Sequence, residues 1–296
     1  MLTKEKFQQF CRAISEFGPD HALVLQDGRE LARHDWVPEV RQNQYSITKS
    51  ITGTAIGFAL DEGLLHLEDP VIRLLPDCLP PVVSPHLEHL TLYHLLTMTL
   101  GQKAPWLMGE QREFMKEKDY ARFALSRPFE EEPGTCFLYS NVGPYLAGLM
   151  LERRSGQSLA EYLMPRLFDP LDIPLPQWEK DPLGNTFGAG GIWLTSTEVS
   201  RFGQLYLQDG LWKGRQILPR DWMRRVDRTW ITDADGQSHY SLLFWRGRYD
   251  SLCAVGRFGQ YCTILKEKNA VIVLNGHDTG QNHLLEYVWT YLYPCL

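Results

Sequence analysis

The chain has 296 residues, 30 of them Lys or Arg and 36 Asp or Glu, for a formal net charge of −6. With 44% apolar and 22% charged residues it has the composition of a folded globular protein, not of a disordered or low-complexity chain. The acidic balance and the lack of a dense Lys/Arg run argue against nucleic acid as the main partner, which would need a basic stripe.

The N-terminal MLTKEKFQQFCRAISEF holds no apolar stretch of signal-peptide length. Nowhere do about 18 apolar residues run together, so no membrane span is expected and the cytoplasm is the expected location. Phe7, Phe10, Cys11, Ile14 and Phe17 recur at helical spacing behind Thr3, a plausible cap. HALVLQ, Asp27-Gly28 and RELARH read as two strands joined by a tight turn. From Ser46 to about Glu62 the pattern predicts a helix apolar on most faces, hence buried, and Gly63 ends it. Four more helices are expected at roughly 91–98, 117–126, 142–155 and 158–167. Ser158 with Glu161, and Thr195 with Glu198, have capping-box spacing. YSLLFWRG, SLCAVG, QYCTILKE and AVIVLNG then read as strands of an antiparallel meander, followed by a last helix at about 281–292.

These elements predict an α+β fold. The N-terminal hairpin joins the C-terminal meander in one antiparallel sheet, flanked by the terminal helices. Residues 1–65 and 176–296 are expected to form an α/β lobe and 66–175 a helical lobe, with the active site between them. The six cysteines show no C-x-x-C pair, and reduced, mostly packed thiols are expected.

Three short motifs can carry chemistry. Ser46-Ile47-Thr48-Lys49 stands at the start of the buried helix, where residues i and i+3 share a face, so an amine can reach a hydroxyl. A serine needs a base, and lysine serves as one only if its pKa is lowered. The plain alternative is that Ser46 caps the helix and Lys49 is solvated. Tyr139-Ser140-Asn141 can send a phenol and an amide into the same cleft. Its plain alternative is a packed tyrosine with Ser140 or Asn141 as cap. Gly256-Arg257-Phe258-Gly259-Gln260 lies between two strands, where the Gln260 amide with that of Ser46 could form an oxyanion hole, or simply a hairpin turn.

In order and rough spacing the three motifs resemble those of the serine β-lactamase and penicillin-binding-protein superfamily, in its class C and esterase-like branch. The connecting stretches GLLHLEDPV, LTLYHLLTMTLG, FLYSNVGPYLAGLMLERRSGQSLAEYL and GAGGIWLTSTEVSRFGQL resemble that branch too, so the likeness runs over most of residues 20–276. The resemblance implies Ser46 as nucleophile, Lys49 as general base and Tyr139 as proton relay. It implies that Asn141 orients Lys49 and the acyl group, and that Gly259 and Gln260 supply half the oxyanion hole. No metal or organic cofactor is implied.

The family's Lys-Thr-Gly is here Arg257-Phe258-Gly259. Arg257 can still bind a carboxylate, but Phe258 removes a hydroxyl, so efficient β-lactam turnover is not expected. Met98 replaces a second histidine and is expected to pack. No Ser has glycines at both −2 and +2, and there is no HExxH. His86, His89 and His94 lack Cys or paired-carboxylate company and are not expected to bind zinc. Asp233-Ala234-Asp235-Gly236 reads as a plain turn. The sequence therefore points to a serine hydrolase acting on a small ester or amide through an acyl-enzyme, most simply a carboxylesterase. β-Lactamase, D-amino-acid peptidase or amidase activity, and a non-catalytic ligand-binding homologue, are the alternatives.

Overall fold

The computed structural model describes residues 1–232, 236, 239–279 and 283–296. The turn expected at Asp233, Ala234 and Asp235 therefore lies outside the described residues. Thr3 caps the first helix, α1 (Lys4–Ile14), by accepting from the Lys6 amide. Two strands follow, β1 (Pro19–Gln26) and β2 (Arg29–Asp35), turning at Asp27 and Gly28, both at positive φ. The buried helix α2 covers Ile47–Asp61, and all of Ile47–Ala59 is shielded from solvent.

Helices α3 (Leu92–Thr97), α4 (Gly109–Phe114), α5 (Val142–Ser155) and α6 (Ser196–Leu207) come next, with both capping boxes formed as spaced. The helix expected at 117–126 is shorter, Tyr120–Leu125, because Asp119 accepts from the Arg122 amide and starts it there. Six further strands complete the sheet: β3 (Ile231–Thr232), β4 (His239–Ser241), β5 (Phe244–Arg246), β6 (Leu252–Val255), β7 (Tyr261–Leu265) and β8 (Ala270–Gly276). The final helix, α7 (His283–Tyr287), widens into a π-helical turn over Val288–Leu292.

The eight strands form one antiparallel sheet in the order β2-β1-β8-β7-β6-β5-β4-β3, so hairpin and meander do join, Val24 facing Ile272 and Cys262 facing Val273. Strand alternation decides the two faces. Ala22, Val24, Ile272 and Leu274 meet Phe10, Ile14, Val288 and Leu292 of the terminal helical segments. Leu23, Val271 and Val273 point the other way, into a larger core shared with α2, α3, α5 and α6.

YSLLFWRG, read as one run, is two strands. Leu242 and Leu243 turn between them at φ of 35° and 72°. Tertiary contacts hold this unusual turn: the Leu243 amide donates to Leu96 O at 3.0 Å, and Leu243 O accepts from Ser50 Oγ at 2.8 Å. Among the described residues no helix is long and apolar enough to cross a membrane.

Candidate active site

The site is built where the chain enters α2. Tyr45 takes a left-handed φ of 45°, fixed by its amide donating to Asn43 Oδ1 at 2.8 Å. A tyrosine held there costs of the order of 1–3 kcal/mol, which the surrounding packing must offset. The turn delivers Ser46 to the N-cap position, yet its side chain makes no cap hydrogen bond. One turn on, Lys49 is 1% exposed, the opposite of a solvated lysine.

Lys49 Nζ lies 2.8 Å from Ser46 Oγ and donates to Asn141 Oδ1 and to Ala189 O, both at 2.7 Å. Burial, then the nearby Arg112 cation, push its pKa well below that of an ordinary lysine. The hydrogen-bond set suits an uncharged amine, which has two N–H donors and one lone pair. Two of its partners are oxygens that only accept, and the third is a hydroxyl able to donate to the lone pair.

Asn141 begins α5 without capping it through its side chain. Its Nδ2 donates to Leu107 O at 2.8 Å, which fixes the amide so that Oδ1 faces Lys49. Tyr139, two residues before, is half-buried and close enough to Ser46 for that hydroxyl to lower its pKa. Lys49 Nζ is 5.0 Å from its ring centroid, and Trp245 stacks on the ring at 5.3 Å between centroids. Burial raises the Tyr139 phenol to about 12, only partly countered by the Ser46 hydroxyl. Ser46, Lys49, Tyr139 and Asn141 thus meet in one place.

The third motif lies beside them. A Cβ at Gly256 would come within 2.9 Å of Gln44 O, so the β6–β7 turn runs against the segment leading into Ser46. Phe258 meets the Tyr45 ring edge-on at 5.0 Å. Gly259 has a φ of 90°, and Gln260 is buried, its Nε2 donating to Gly276 O at 2.7 Å and its Oε1 accepting from the Phe258 amide at 3.1 Å. Among the described residues, neither the Ser46 nor the Gln260 amide donates to a protein acceptor. Arg257 stands at the mouth and donates to Glu110 Oε1 at 2.6 Å.

Sequence reasoning missed a strap, residues 106–114, which crosses this mouth. Its Trp106 and Leu107 carbonyls accept from the Asn141 amide and Nδ2. Its Glu110 reaches Arg257, and its Arg112 pairs with Glu179 while lying 3.9 Å over the Phe187 ring. No spacing signal marks these residues, because their partners lie on distant segments. Ala189, by contrast, lies within the GAGGIW stretch already singled out. The histidine cluster disperses: His86 meets Phe129 O, His89 meets Glu132, and His94 closes the capping box with Thr91. Met98 is fully buried. His277 is exposed and pairs with Asp20.

An antiparallel sheet backed by terminal helices, with a serine, lysine and tyrosine converging beside a buried helix, defines a serine-hydrolase type of scaffold. The Beta-lactamase family model matches residues 21–292, and the chain belongs to that family. It is 23% identical to the 6-aminohexanoate-dimer hydrolase of Paenarthrobacter ureafaciens over 261 residues, 80% of this chain and 64% of that protein. It is 30% identical to Esterase EstB of Burkholderia gladioli over 143 residues, 43% of this chain and 36% of that one. A D-stereospecific amidohydrolase from Streptomyces sp. superposes with a TM-score of 0.74 at 17% identity, covering 99% of both chains, so the β-lactamase-like fold is shared. The chain spans 32% to 64% of the length of the first curated relatives it matches.

Proposed function

We propose that this protein is a carboxylesterase-type serine hydrolase that works through an acyl-enzyme on Ser46. The observation that carries the reading is the 2.8 Å contact between Ser46 Oγ and the buried Lys49 Nζ. The opposite pKa shifts support these roles. Lys49 is pushed down, toward the uncharged amine that a base needs, and Tyr139 up to about 12, which keeps its phenol a donor at neutral pH. Ser46 Oγ attacks the acyl carbonyl and its proton passes to Lys49. The Ser46 and Gln260 amides receive the developing oxyanion, and Tyr139 carries a proton to the leaving group. Water then cleaves the acyl-enzyme by the same groups in reverse.

An ester is favoured because an alkoxide leaves with less acid help than an amine. Amide hydrolysis is the second reading, supported by the similarity to the 6-aminohexanoate-dimer hydrolase and the D-stereospecific amidohydrolase. A small-molecule substrate and a cytoplasmic location belong to the same proposal. Intact-mass measurement after a fluorophosphonate tests it: wild type gains one adduct and Ser46→Ala gains none. Absence of an adduct across a range of pH would favour a non-catalytic binding protein. A panel of p-nitrophenyl esters, amides and a chromogenic β-lactam then separates the substrate classes.

A further inference from the structure

Two guanidinium groups border the mouth of the site, and each already holds a carboxylate of the protein itself. Arg257 carries Glu110 at 2.6 Å, and Arg112 carries Glu179. Lys49, beside Ser46, has no carboxylate among its partners and is shifted toward the neutral amine. The other walls are aromatic: Tyr45 against Phe258, and Tyr139 against Trp245 and Tyr240. A carboxylate arriving with a substrate meets, at Arg257, a cation that the protein's own Glu110 already holds.

We propose that the site takes an uncharged acyl group, and that Glu110, seated on Arg257, is the residue that turns carboxylate-bearing substrates away. This rests on the serine-hydrolase reading and deepens it to a substrate class. The Glu110–Arg257 pair is exposed, 79% and 52%, so its intrinsic strength is small. Its advantage is the tether. Glu110 belongs to the strap, whose neighbouring Gly109 lies so near Arg257 that a Cβ there would be 3.5 Å from Nη1. The protein's own carboxylate is thus present at high effective concentration, while a substrate's must come from dilute solution and rest beside the displaced Glu110 charge.

The test compares two fluorophosphonates of equal chain length, one with an uncharged alkyl end and one ending in a carboxylate. The rate of Ser46 labelling by each is read by intact mass. Wild type labels faster with the uncharged probe, and Glu110→Gln shifts the ratio toward the charged probe about fivefold, the size expected for one exposed charge. Adding Arg257→Gln to Glu110→Gln reverses that shift, and Glu113→Gln, one turn along the strap, leaves the ratio as in wild type. The proposal is overturned if wild type labels equally with both probes, if Glu110→Gln leaves the ratio unmoved, or if Glu113→Gln moves it as far. Failure of both probes to label wild type would instead sink the hydrolase reading itself, and this inference with it.

Discussion

The floor of the site and its mouth are held together by different physics. On the floor, Lys49 and Asn141 are 1% and 8% exposed, and their hydrogen bonds run to fixed groups of the fold, Ala189 O and Leu107 O. At the mouth, Glu110 and Arg257 are mostly solvated, and they and the more sheltered Arg112–Glu179 pair join segments far apart in the chain. Low-dielectric surroundings make each floor contact expensive to lose, whereas an exposed pair is worth about 0–1 kcal/mol. The floor should therefore decide whether reaction occurs, and the mouth what reacts and at which pH.

The largest effect is expected at Ser46. Ser46→Ala should lower kcat for a p-nitrophenyl ester by about 10³-fold or more with the fold intact by circular dichroism, since without the nucleophile only binding and oxyanion contacts remain. Lys49→Met should lose as much, and it carries a second signature. The buried lysine releases a proton that the unfolded chain holds up to about pH 10.4, so the unfolded state binds more protons. Wild-type stability should consequently rise with pH from the lowered Lys49 pKa to about 10.4, by at most about 1.4 kcal/mol per unit. Denaturant melts at several pH values should show that increment in wild type and not in Lys49→Met. Equal slopes would mean that Lys49 is charged in the folded protein.

Tyr139→Phe comes next. With its phenol held protonated up to about 12, Tyr139 acts as a donor, and losing general-acid help costs about 10²-fold. The loss should shrink as the leaving group improves, from an alkyl ester to a p-nitrophenyl ester. A loss independent of the leaving group would assign Tyr139 to packing against Trp245 instead.

The same division explains what the sequence disclosed. Ser46 with Lys49, and Tyr139 with Asn141, are local pairs, so helix and strand periodicity alone puts each on one face. The joined sheet was legible because β1 and β8 are both runs of apolar residues that need cover on two faces. The turn at Leu242 and Leu243 was not, since two leucines at positive φ obey contacts with Leu96 and Ser50 that no local rule anticipates. Arg257 and Glu110 are 147 positions apart, and nothing near either one announces the other.

Packing behind the floor gives a smaller but measurable effect. Gly143 lets α5 approach α3 so closely that a Cβ would sit 2.3 Å from Leu95 O, a backbone atom that cannot swing aside. Gly143→Ala should cost at least about 2 kcal/mol of unfolding free energy in denaturant melts. Because Asn141 begins the same helix, kcat should fall with it. A stable variant with unaltered kcat would show that α5 can shift without moving Asn141.

The smallest effect probes the link between the two regions. Arg112 lies at the mouth but lowers the pKa of Lys49 on the floor, after the larger contribution of burial. Its charge is partly met by Glu179, and Tyr139, the other titratable group against Lys49, stays neutral in the working range. Removing the cation in Arg112→Gln raises the Lys49 pKa, because a positive neighbour disfavoured the charged amine and Glu179 now favours it. The base is then protonated at pH values where wild type is active, so the acid limb of kcat/KM should move to higher pH. Arg112→Lys, which keeps the charge but not the fork, should return the limb most of the way. A limb that stays fixed while KM changes would confine Arg112 to the mouth, leaving burial as the sole cause of the lysine's low pKa.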